Sequence, residues 1–184
     1  AVISANNVFA HADDLVGILK GVKNLLAEDG VFVFEVSYLV DVFQKTLFDT
    51  IYHEHLSYHS IKPLDKFFKL NGMELIDAQR VDTHGGSVRC IAKLSSGHIK
   101  KKDSVDELIK LEEDLEIDNY NTWLNYSSKI KNIGQELSKL IKEIKSQGKT
   151  IGAFGAPAKA TTLMYQFNLD AKMIDFIIDD SPLK

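Results

Sequence analysis

Apolar runs and helical spacing alternate at the start of the chain and predict a strand, a helix and a second strand. Residues 2–5 are a short β-branched run and residues 31–36 a longer continuous one, as is typical of buried parallel strands. Between them, apolar residues at helical spacing follow Asp13 and Asp14, two acids that suit the first turn of a helix. The pattern predicts a βαβ unit, which is right-handed in nearly all proteins.

Polar breaks divide the next part of the chain into two helices and a hairpin. Residues 38–45 are predicted to form a short helix, and a second helix is predicted to begin at Ser60, with Pro63 in its first turn. Its buried face is predicted to consist of Leu64, Phe67, Phe68 and Leu70. Residues 73–81 and 87–94 are strand-like runs joined by a Gly-Gly turn, which predicts an antiparallel hairpin.

A polar, basic segment over residues 95–102 is the predicted domain boundary. Two helices are predicted to follow, over residues 103–118 and around residues 130–144, and both are interpreted as packing helices that connect domains. The apolar residues at helical spacing in the second are Ile130, Ile133, Leu137, Leu140, Ile141 and Ile144. Residues 149–178 then show the order strand, turn, helix, strand. The predicted domains are 1–94, 95–147 and 148–184.

These elements together predict an α/β protein. A parallel sheet that ends in an antiparallel hairpin is the closing half of the class I (Rossmann-like) methyltransferase fold. The helical connector is then followed by the first βαβ unit of a second Rossmann-like domain. The chain begins inside a strand-like run without a methionine and ends just after another such run, so we expect a fragment of a longer protein.

Composition narrows the class of partner. Hydrophobic residues make up 45% and charged residues 26% of the chain, as in ordinary globular proteins. The net charge of -4 argues against nucleic acid or an anionic membrane as the main partner. No apolar run approaches a membrane span, and no signal peptide is recognisable. The single cysteine, Cys90, is predicted to lie in the core and fits a reducing cytoplasm. No pattern predicts an oligomeric state.

Side chains that transfer protons near neutral pH are concentrated in residues 48–59. Three of the six histidines, a glutamate and two tyrosines occur there. An imidazole beside a carboxylate and a phenol can act as a general base, with groups that orient it and bind a developing oxyanion. We therefore predict that Tyr52, Glu54 and His55 are catalytic. The structural alternative is a polar loop packed on the end of a strand.

A metal site formed by His53, His55 and His59 is a competing interpretation. The HExxH order of zinc proteases is absent, because Ser57 stands where the second histidine would be. The spacing of His55 and His59 still suits a pair of metal ligands on a helix.

Polar residues directly after the first predicted strand form a second candidate group. Asn6, Asn7 and His11 would lie at the carboxyl edge of the sheet, where α/β folds place their ligands. A lone histidine at such a place is more often structural, so its role depends on the fold.

Two glycine-containing turns are candidate anion sites. In the first, the Gly-Gly pair exposes backbone N–H groups, and His84, Ser87 and Arg89 could add contacts; the alternative is a plain hairpin turn. In the second, Gly155 and Ala156 precede a helix that carries Lys159, which favours phosphate over plain helix–strand packing. It is neither a Walker A loop nor a dinucleotide fingerprint.

Five ordered motifs resemble one known family, the sugar-nucleotide C-methyltransferases, which use S-adenosylmethionine to install methyl branches on deoxysugars. The resemblance covers essentially the whole chain. The motifs are Ala5-Asn-Asn-Val-Phe-Ala-His11, Gly30-Val-Phe-Val-Phe-Glu35, Phe48-Asp-Thr-Ile-Tyr-His-Glu-His55, His84-Gly-Gly-Ser-Val-Arg89 and Gly155-Ala-Pro-Ala-Lys159.

The resemblance implies a bacterial enzyme of three parts: an N-terminal zinc-binding domain, a central methyltransferase domain and a C-terminal α/β domain. By that comparison this chain begins at the fourth strand of the central domain. The zinc cysteines, the glycine-rich adenosylmethionine loop and the acidic ribose ligand are outside it. Zinc is therefore implied only for the N-terminal domain, and the isolated fragment is expected to be inactive.

The resemblance also implies a mechanism. A nucleotide-linked 4-keto sugar binds between the central and C-terminal domains, a base removes the proton beside the ketone, and the enolate attacks the methyl group of adenosylmethionine. His55 is the expected base, Glu54 orients it or binds hydroxyls, and Tyr52 and His11 stabilise or reprotonate the C-4' oxygen.

By the same resemblance, Asn6 and Asn7 are assigned to the cofactor. The nucleotide is assigned to His84, Ser87, Arg89, Gly155, Ala156 and Lys159. Two alternatives stay open: a non-catalytic nucleotide-sugar-binding or regulatory module, and a metal-dependent hydrolase that uses the histidine cluster.

Overall fold

A computed structural model of the chain describes residues 1–182. The strands are Val2–Asn6 (β1), Val31–Ser37 (β2), Met73–Val81 (β3), Ser87–Leu94 (β4), Gly152–Phe154 (β5) and Phe176–Ile178 (β6). The α-helices are Leu15–Leu25 (α1), Leu39–Lys45 (α2), Ile61–Leu70 (α3), Ser104–Asp114 (α4), Tyr120–Ser146 (α5) and Ala158–Phe167 (α6). Three 3-10 helices cover Phe9–His11, Phe48–Thr50 and Thr83–Gly85.

The chain forms two compact units. The first comprises Ala1–Lys45 and Glu54–Asn119, and the second comprises Thr46–His53 and the chain from Tyr120 onwards. The division into functional domains 1–94, 95–147 and 148–184 stays a prediction. Residues 183–184 of the third domain lie outside the described residues. No helix within residues 1–182 is both long and apolar enough to span a bilayer.

The first unit contains a four-stranded mixed sheet in the order β1-β2-β4-β3. β1 pairs with β2 in parallel, and β4 is antiparallel to both β2 and β3. The α/β prediction is therefore confirmed, and so is the hairpin of β3 and β4. β2 lies inside the sheet, but it has a parallel neighbour on one side only.

An aromatic cluster forms the core of this unit. Phe34 of β2 stacks on Phe68 of α3 with ring centroids 5.2 Å apart, and Phe9 lies 5.1 Å from Phe34. Pairs of this kind add to the free energy gained by burial alone. The prediction that Leu70 belongs to the buried face is wrong: Leu70 is 76% exposed, because the buried stripe of α3 follows the spacing from Ile61 to Leu64 to Phe68 and ends there.

Helix α4 packs on β3 and α3 in the first unit. Its Glu112 is buried and accepts hydrogen bonds from the N–H groups of Ile61 and Lys62, at 2.5 Å and 2.9 Å, and from the hydroxyl of Tyr38 at 2.9 Å. The carboxylate thus binds the unpaired donors at the start of α3. Burial raises the pKa of Glu112 above its usual range, despite these hydrogen bonds.

The second unit contains the predicted βαβ arrangement, because β5 and β6 are parallel and α6 connects them. Helix α5 buries Tyr126, Ile130, Gly134 and Ile141. Ile133 and Leu140, which the helical spacing predicted on the apolar face, are exposed. At Gly134 a side chain would be excluded, since a Cβ atom there would lie 2.5 Å from the Phe167 ring. The helices therefore approach closely at this point.

Candidate active site

Two histidines that are far apart in sequence face each other in the first unit. The 3-10 helix that follows β1 ends at His11, and its Ala10 carbonyl accepts a 3.3 Å hydrogen bond from the N–H of Ser57. The rings of His11 and His55 have centroids 5.1 Å apart. His11 is exposed and His55 half-buried. The structure thus brings two of the predicted catalytic residues together at one surface.

Tyr58 extends this pair. Its ring meets the ring of His55 edge-on, with centroids 6.2 Å apart. Glu54, which precedes His55, is exposed. Tyr58 was not among the predicted catalytic residues, although its position three residues after His55, in the same segment rich in titratable side chains, was a usable signal.

The same loop carries a third histidine with a different environment. His59 is buried, and its ring lies 5.7 Å from Phe9. Its Nε2 atom is buried and has no hydrogen-bond partner among residues 1–182. Burial lowers the pKa of His59 to about 4, so it is neutral at pH 7. We conclude that His59 is a core histidine.

The competing interpretation of His55 and His59 as a pair of metal ligands on a helix is wrong, because residues 54–59 form a loop. Across the part of the chain that the structure describes, no group of three histidine, cysteine or acidic residues is placed to hold a metal ion.

Tyr52 belongs to the second unit, in the segment Thr46–His53 that packs against α6. It is half-buried, and its N–H donates to the carbonyl of Thr50 at 3.1 Å. Its ring meets that of His53 edge-on at 5.9 Å. The boundary between the two units therefore falls inside the predicted catalytic segment, between His53 and Glu54.

Asn6 and Asn7 lie at the carboxyl end of the first strand. Asn6 ends β1 and is exposed, whereas Asn7 is half-buried. Asn7 adopts a left-handed conformation with φ of 54°, and its N–H donates to the carbonyl of Glu35 at 2.9 Å. Asparagine tolerates this backbone conformation better than most residues. The strand therefore ends in a turn that leaves the Asn6 side chain in solvent.

The hairpin turn that carries His84 is fixed from one side by a buried carboxylate. Asp41 pairs with Arg80 at 2.6 Å and with Lys45 at 3.1 Å. Lys45 also donates to the carbonyl of Gly85 at 2.8 Å. Gly86, with φ of 148°, packs so closely on Asp41 that a Cβ atom would overlap its side chain. These contacts tie the turn to helix α2.

A second buried carboxylate fixes the turn from the other side. Glu35 accepts hydrogen bonds from Thr83 Oγ1 at 2.5 Å and from two nitrogens of Arg89 at 3.1 Å and 2.9 Å. The hydrogen bond from Thr83 and then the Arg89 guanidinium lower the pKa of Glu35 in spite of its burial. Ser87 is fully buried and donates to the Thr83 carbonyl at 3.1 Å.

The predicted binding residues of this turn thus differ in their surroundings. His84 is exposed in a left-handed conformation with φ of 52°. Ser87 donates to the Thr83 carbonyl within the turn, whereas Arg89 donates to Glu35 of β2. Their binding roles stay predictions. Sequence reasoning missed Glu35 and Asp41; the signal was a glutamate inside the apolar run of residues 31–36.

The second predicted anion site lies in the second unit. The N–H of Gly155 donates to the carbonyl of Ile178 at 2.7 Å, and the N–H of Ala156 donates to Asp179 Oδ2 at 2.6 Å. Lys159 Nζ is 3.9 Å from Asp49 Oδ2. A carboxylate before the first turn of α6 is electrostatically favourable, so an anionic ligand would have to displace Asp179 from Ala156.

Comparison with known proteins identifies the family. A family model described as the C-methyltransferase C-terminal domain matches residues 82–184, more than half of the chain. The chain belongs to the C-methyltransferase family. The family resemblance predicted from the motifs is thereby confirmed.

One relative extends over the whole chain. The C-methyltransferase NovU of Streptomyces niveus is 32% identical over 183 residues, which is 100% of this chain and 44% of the relative. The chain therefore spans less than half the length of the C-methyltransferase that it matches. The matched C-terminal domain contains both predicted anion sites, and the histidine pair precedes it.

Proposed function

We propose that the protein to which this chain belongs is an S-adenosylmethionine-dependent C-methyltransferase acting on a nucleotide-linked 4-keto deoxysugar. The observation that carries the proposal is the pair His11 and His55, with ring centroids 5.1 Å apart, beyond the carboxyl end of β1. Ligands of open α/β sheets bind at this edge. Membership of the C-methyltransferase family supports the reaction type.

The strand order supports the finer assignment of the fold. β4 lies antiparallel between β2 and β3, which have the same direction as β1. This is the arrangement expected for the closing half of a class I methyltransferase sheet. The unit β5-α6-β6 likewise suits the start of a second Rossmann-like domain. We propose 1–94, 95–147 and 148–184 as the functional division.

The chemistry assigned to this chain is proton transfer next to a ketone. His55 takes the proton from the carbon beside the ketone onto a ring nitrogen, and the electron pair of the broken C–H bond forms the enolate. His11, at the same surface, donates a hydrogen bond to the oxygen on which negative charge develops. Glu54 orients His55 or binds sugar hydroxyls. Tyr52 supplies a phenolic donor to the same oxygen.

The residues at the end of β1 suit one edge of the cofactor. Asn6 presents an exposed amide, which can donate to and accept from the polar groups of adenosylmethionine, and Asn7 shapes the turn that displays it. When bound, the cofactor supplies an electrophilic methyl group. We propose that its remaining contacts come from parts of the protein outside this chain.

The nucleotide is assigned to both turns. His84 and Arg89 offer cationic or hydrogen-bonding groups at the first, with Ser87 holding its shape. Gly155, Ala156 and Lys159 form the second turn. Phosphate can bind there only if the Ala156 N–H group releases Asp179 and donates to the phosphate instead. Cytoplasmic location and a small-molecule substrate follow from this role.

The test uses the complete protein with a thymidine-diphosphate 4-keto-6-deoxy sugar in deuterated water. Without adenosylmethionine, the proposed base should exchange the hydrogen beside the ketone for deuterium, visible by NMR. With methyl-labelled adenosylmethionine, the label should appear on the sugar. Calorimetric binding of the sugar nucleotide with neither exchange nor transfer would instead identify a non-catalytic binding module. The isolated 184-residue chain should transfer no methyl group.

A further inference from the structure

The segment Thr46–His53 is held in the second unit by helix α6. It follows α2 through Thr46, which has a left-handed conformation with φ of 58°. Thr162 Oγ1 of α6 donates a 2.9 Å hydrogen bond to the carbonyl of Ile51, a residue 111 positions away in sequence. Phe48 is buried and lies 5.2 Å from Phe167, at the end of the same helix.

Hydrogen bonds inside the segment make it a compact turn. Thr50 Oγ1 donates to the carbonyl of Leu47 at 2.8 Å, and the N–H of Ile51 donates to the carbonyl of Phe48 at 3.0 Å. The N–H of Tyr52 donates to the carbonyl of Thr50 at 3.1 Å. The Ile51 carbonyl is thus the acceptor through which α6 reaches the residue next to Tyr52.

The position of that acceptor matters because a peptide group is planar. The Ile51 carbonyl and the Tyr52 nitrogen belong to one rigid unit. Holding the oxygen fixes the direction in which the chain enters Tyr52. A helical threonine usually bonds to a carbonyl of its own preceding turn, whereas Thr162 donates to another segment of the chain.

We propose that Thr162 is a positioning residue for Tyr52, with the packing of Phe48 on Phe167 as the second support. The proposal rests on the proposed function of Tyr52 as a donor to the substrate oxygen. Through the Ile51 peptide group, Thr162 restricts where the phenol can lie. A phenol displaced by a fraction of an ångström would still bind substrate but would stabilise the developing charge less well.

The test compares three variants of the complete protein. Thr162→Val keeps the shape and removes the hydroxyl, Thr162→Ser keeps the hydroxyl, and Thr161→Val is the matched control, because Thr161 is exposed on the same helix. We expect Thr162→Val to lower kcat about 10- to 100-fold with little change in KM. Thr162→Ser should retain most of the activity, and Thr161→Val should behave like the wild type.

A double variant tests whether Thr162 acts through Tyr52. If it does, Thr162→Val should lower kcat little further in a Tyr52→Phe background, because the two changes remove the same contribution. Multiplicative losses would overturn the proposal. A kcat of Thr162→Val equal to that of Thr161→Val would overturn it as well.

Hydrogen–deuterium exchange of the peptide that covers Thr46–His53 separates this proposal from the proposed function. Thr162→Val should speed exchange there and Thr161→Val should not, whether or not the protein transfers methyl groups. Unchanged exchange in Thr162→Val would refute the positioning role. Absent transfer by the wild type would refute the proposed function alone. Should Thr162→Val fail to fold, Phe167→Leu, which loosens the second support, supplies the same exchange comparison.

Discussion

The hairpin turn around His84 and the loop around His55 both contain many polar side chains, but the structure holds them by different means. The turn is clamped by two buried carboxylates, Glu35 and Asp41. The loop is joined to the 3-10 helix that ends at His11 by a backbone hydrogen bond and by ring contacts at a surface. The polar residues that hold the turn are therefore tied to buried carboxylates, whereas the two histidines proposed for catalysis contact each other through their rings at the surface.

The largest effect that this comparison predicts is on turnover. His55→Gln keeps a polar side chain of similar size but removes the proposed base, and should lower kcat by about 10²- to 10⁴-fold. His98→Gln is the control, since His98 is exposed and is not among the predicted site residues. Steady-state kinetics of the complete protein measures both. Wild-type turnover of His55→Gln would remove His55 from the role of base.

The next effect concerns the pH dependence of stability in the same loop. The pKa of His59 is lowered from 6.5 to about 4 in the folded protein. Between these values the unfolded chain binds a proton that the folded protein does not, so stability falls as pH falls through this range. The difference between the two pKa values corresponds to a loss of about 3 kcal/mol of stability once the pH has fallen to about 4.

His59→Phe should therefore flatten the loss of stability between pH 6.5 and pH 4, because phenylalanine takes up no proton. Urea unfolding of both proteins across this range measures the effect. His98→Gln again serves as the control, and equal slopes for the wild type and His59→Phe would contradict a buried neutral histidine.

A smaller effect is expected where the turn is clamped. Glu35 has its pKa lowered below 4.5 by Thr83 and Arg89, so it stabilises the fold above that pH and loses this contribution as pH falls through its lowered pKa. Thr83→Val removes the hydrogen bond that lowers the pKa of Glu35 most, and should cost about 1–2 kcal/mol of stability at pH 7. The difference from wild type should shrink at an acid pH well below 4.5, once the pH has fallen through the lowered pKa of Glu35. Urea unfolding of the wild type and Thr83→Val at both pH values measures this difference in stability.

The smallest effect is expected at the tip of the turn. His84→Ala removes one exposed side chain and should weaken binding of the nucleotide sugar by about 3- to 10-fold. Stability should stay unchanged, in contrast to Thr83→Val in the adjacent position. Calorimetry gives the affinity. A loss of stability without a loss of affinity would instead place His84 with the residues that hold the turn in shape, such as Thr83.

Local patterns were sufficient to predict the order of strands and helices, because hydrophobic spacing and turn residues act over a few positions. Both βαβ units and the β3–β4 hairpin follow from them. The predicted burial of Leu70 and Leu140 was wrong. The spacing of apolar residues identifies a helix as amphipathic, but it does not determine which residues at the edge of the apolar face are buried.

The supporting contacts of the site could not be predicted in the same way. The carboxylate of Glu35 meets Arg89 across 54 positions, and Arg80 meets Asp41 across 39. Pairs of this kind depend on sheet register, which a single sequence leaves open. The division between Tyr52 and His55 was equally hidden, because it depends on the packing of Thr46–His53 on α6.

That packing has a practical consequence for dissecting the protein. Because residues 46–53 complete the second unit, a gene fragment beginning at Tyr120 would lack the segment that packs on helix α6. Phe167 would lose its contact with Phe48, and the Thr162 hydroxyl would lose its acceptor. Recombination at a single crossover between them would likewise separate residues 46–53 from helix α6. A chimera that exchanges the C-terminal domain between family members should therefore carry its own eight-residue insert at position 46.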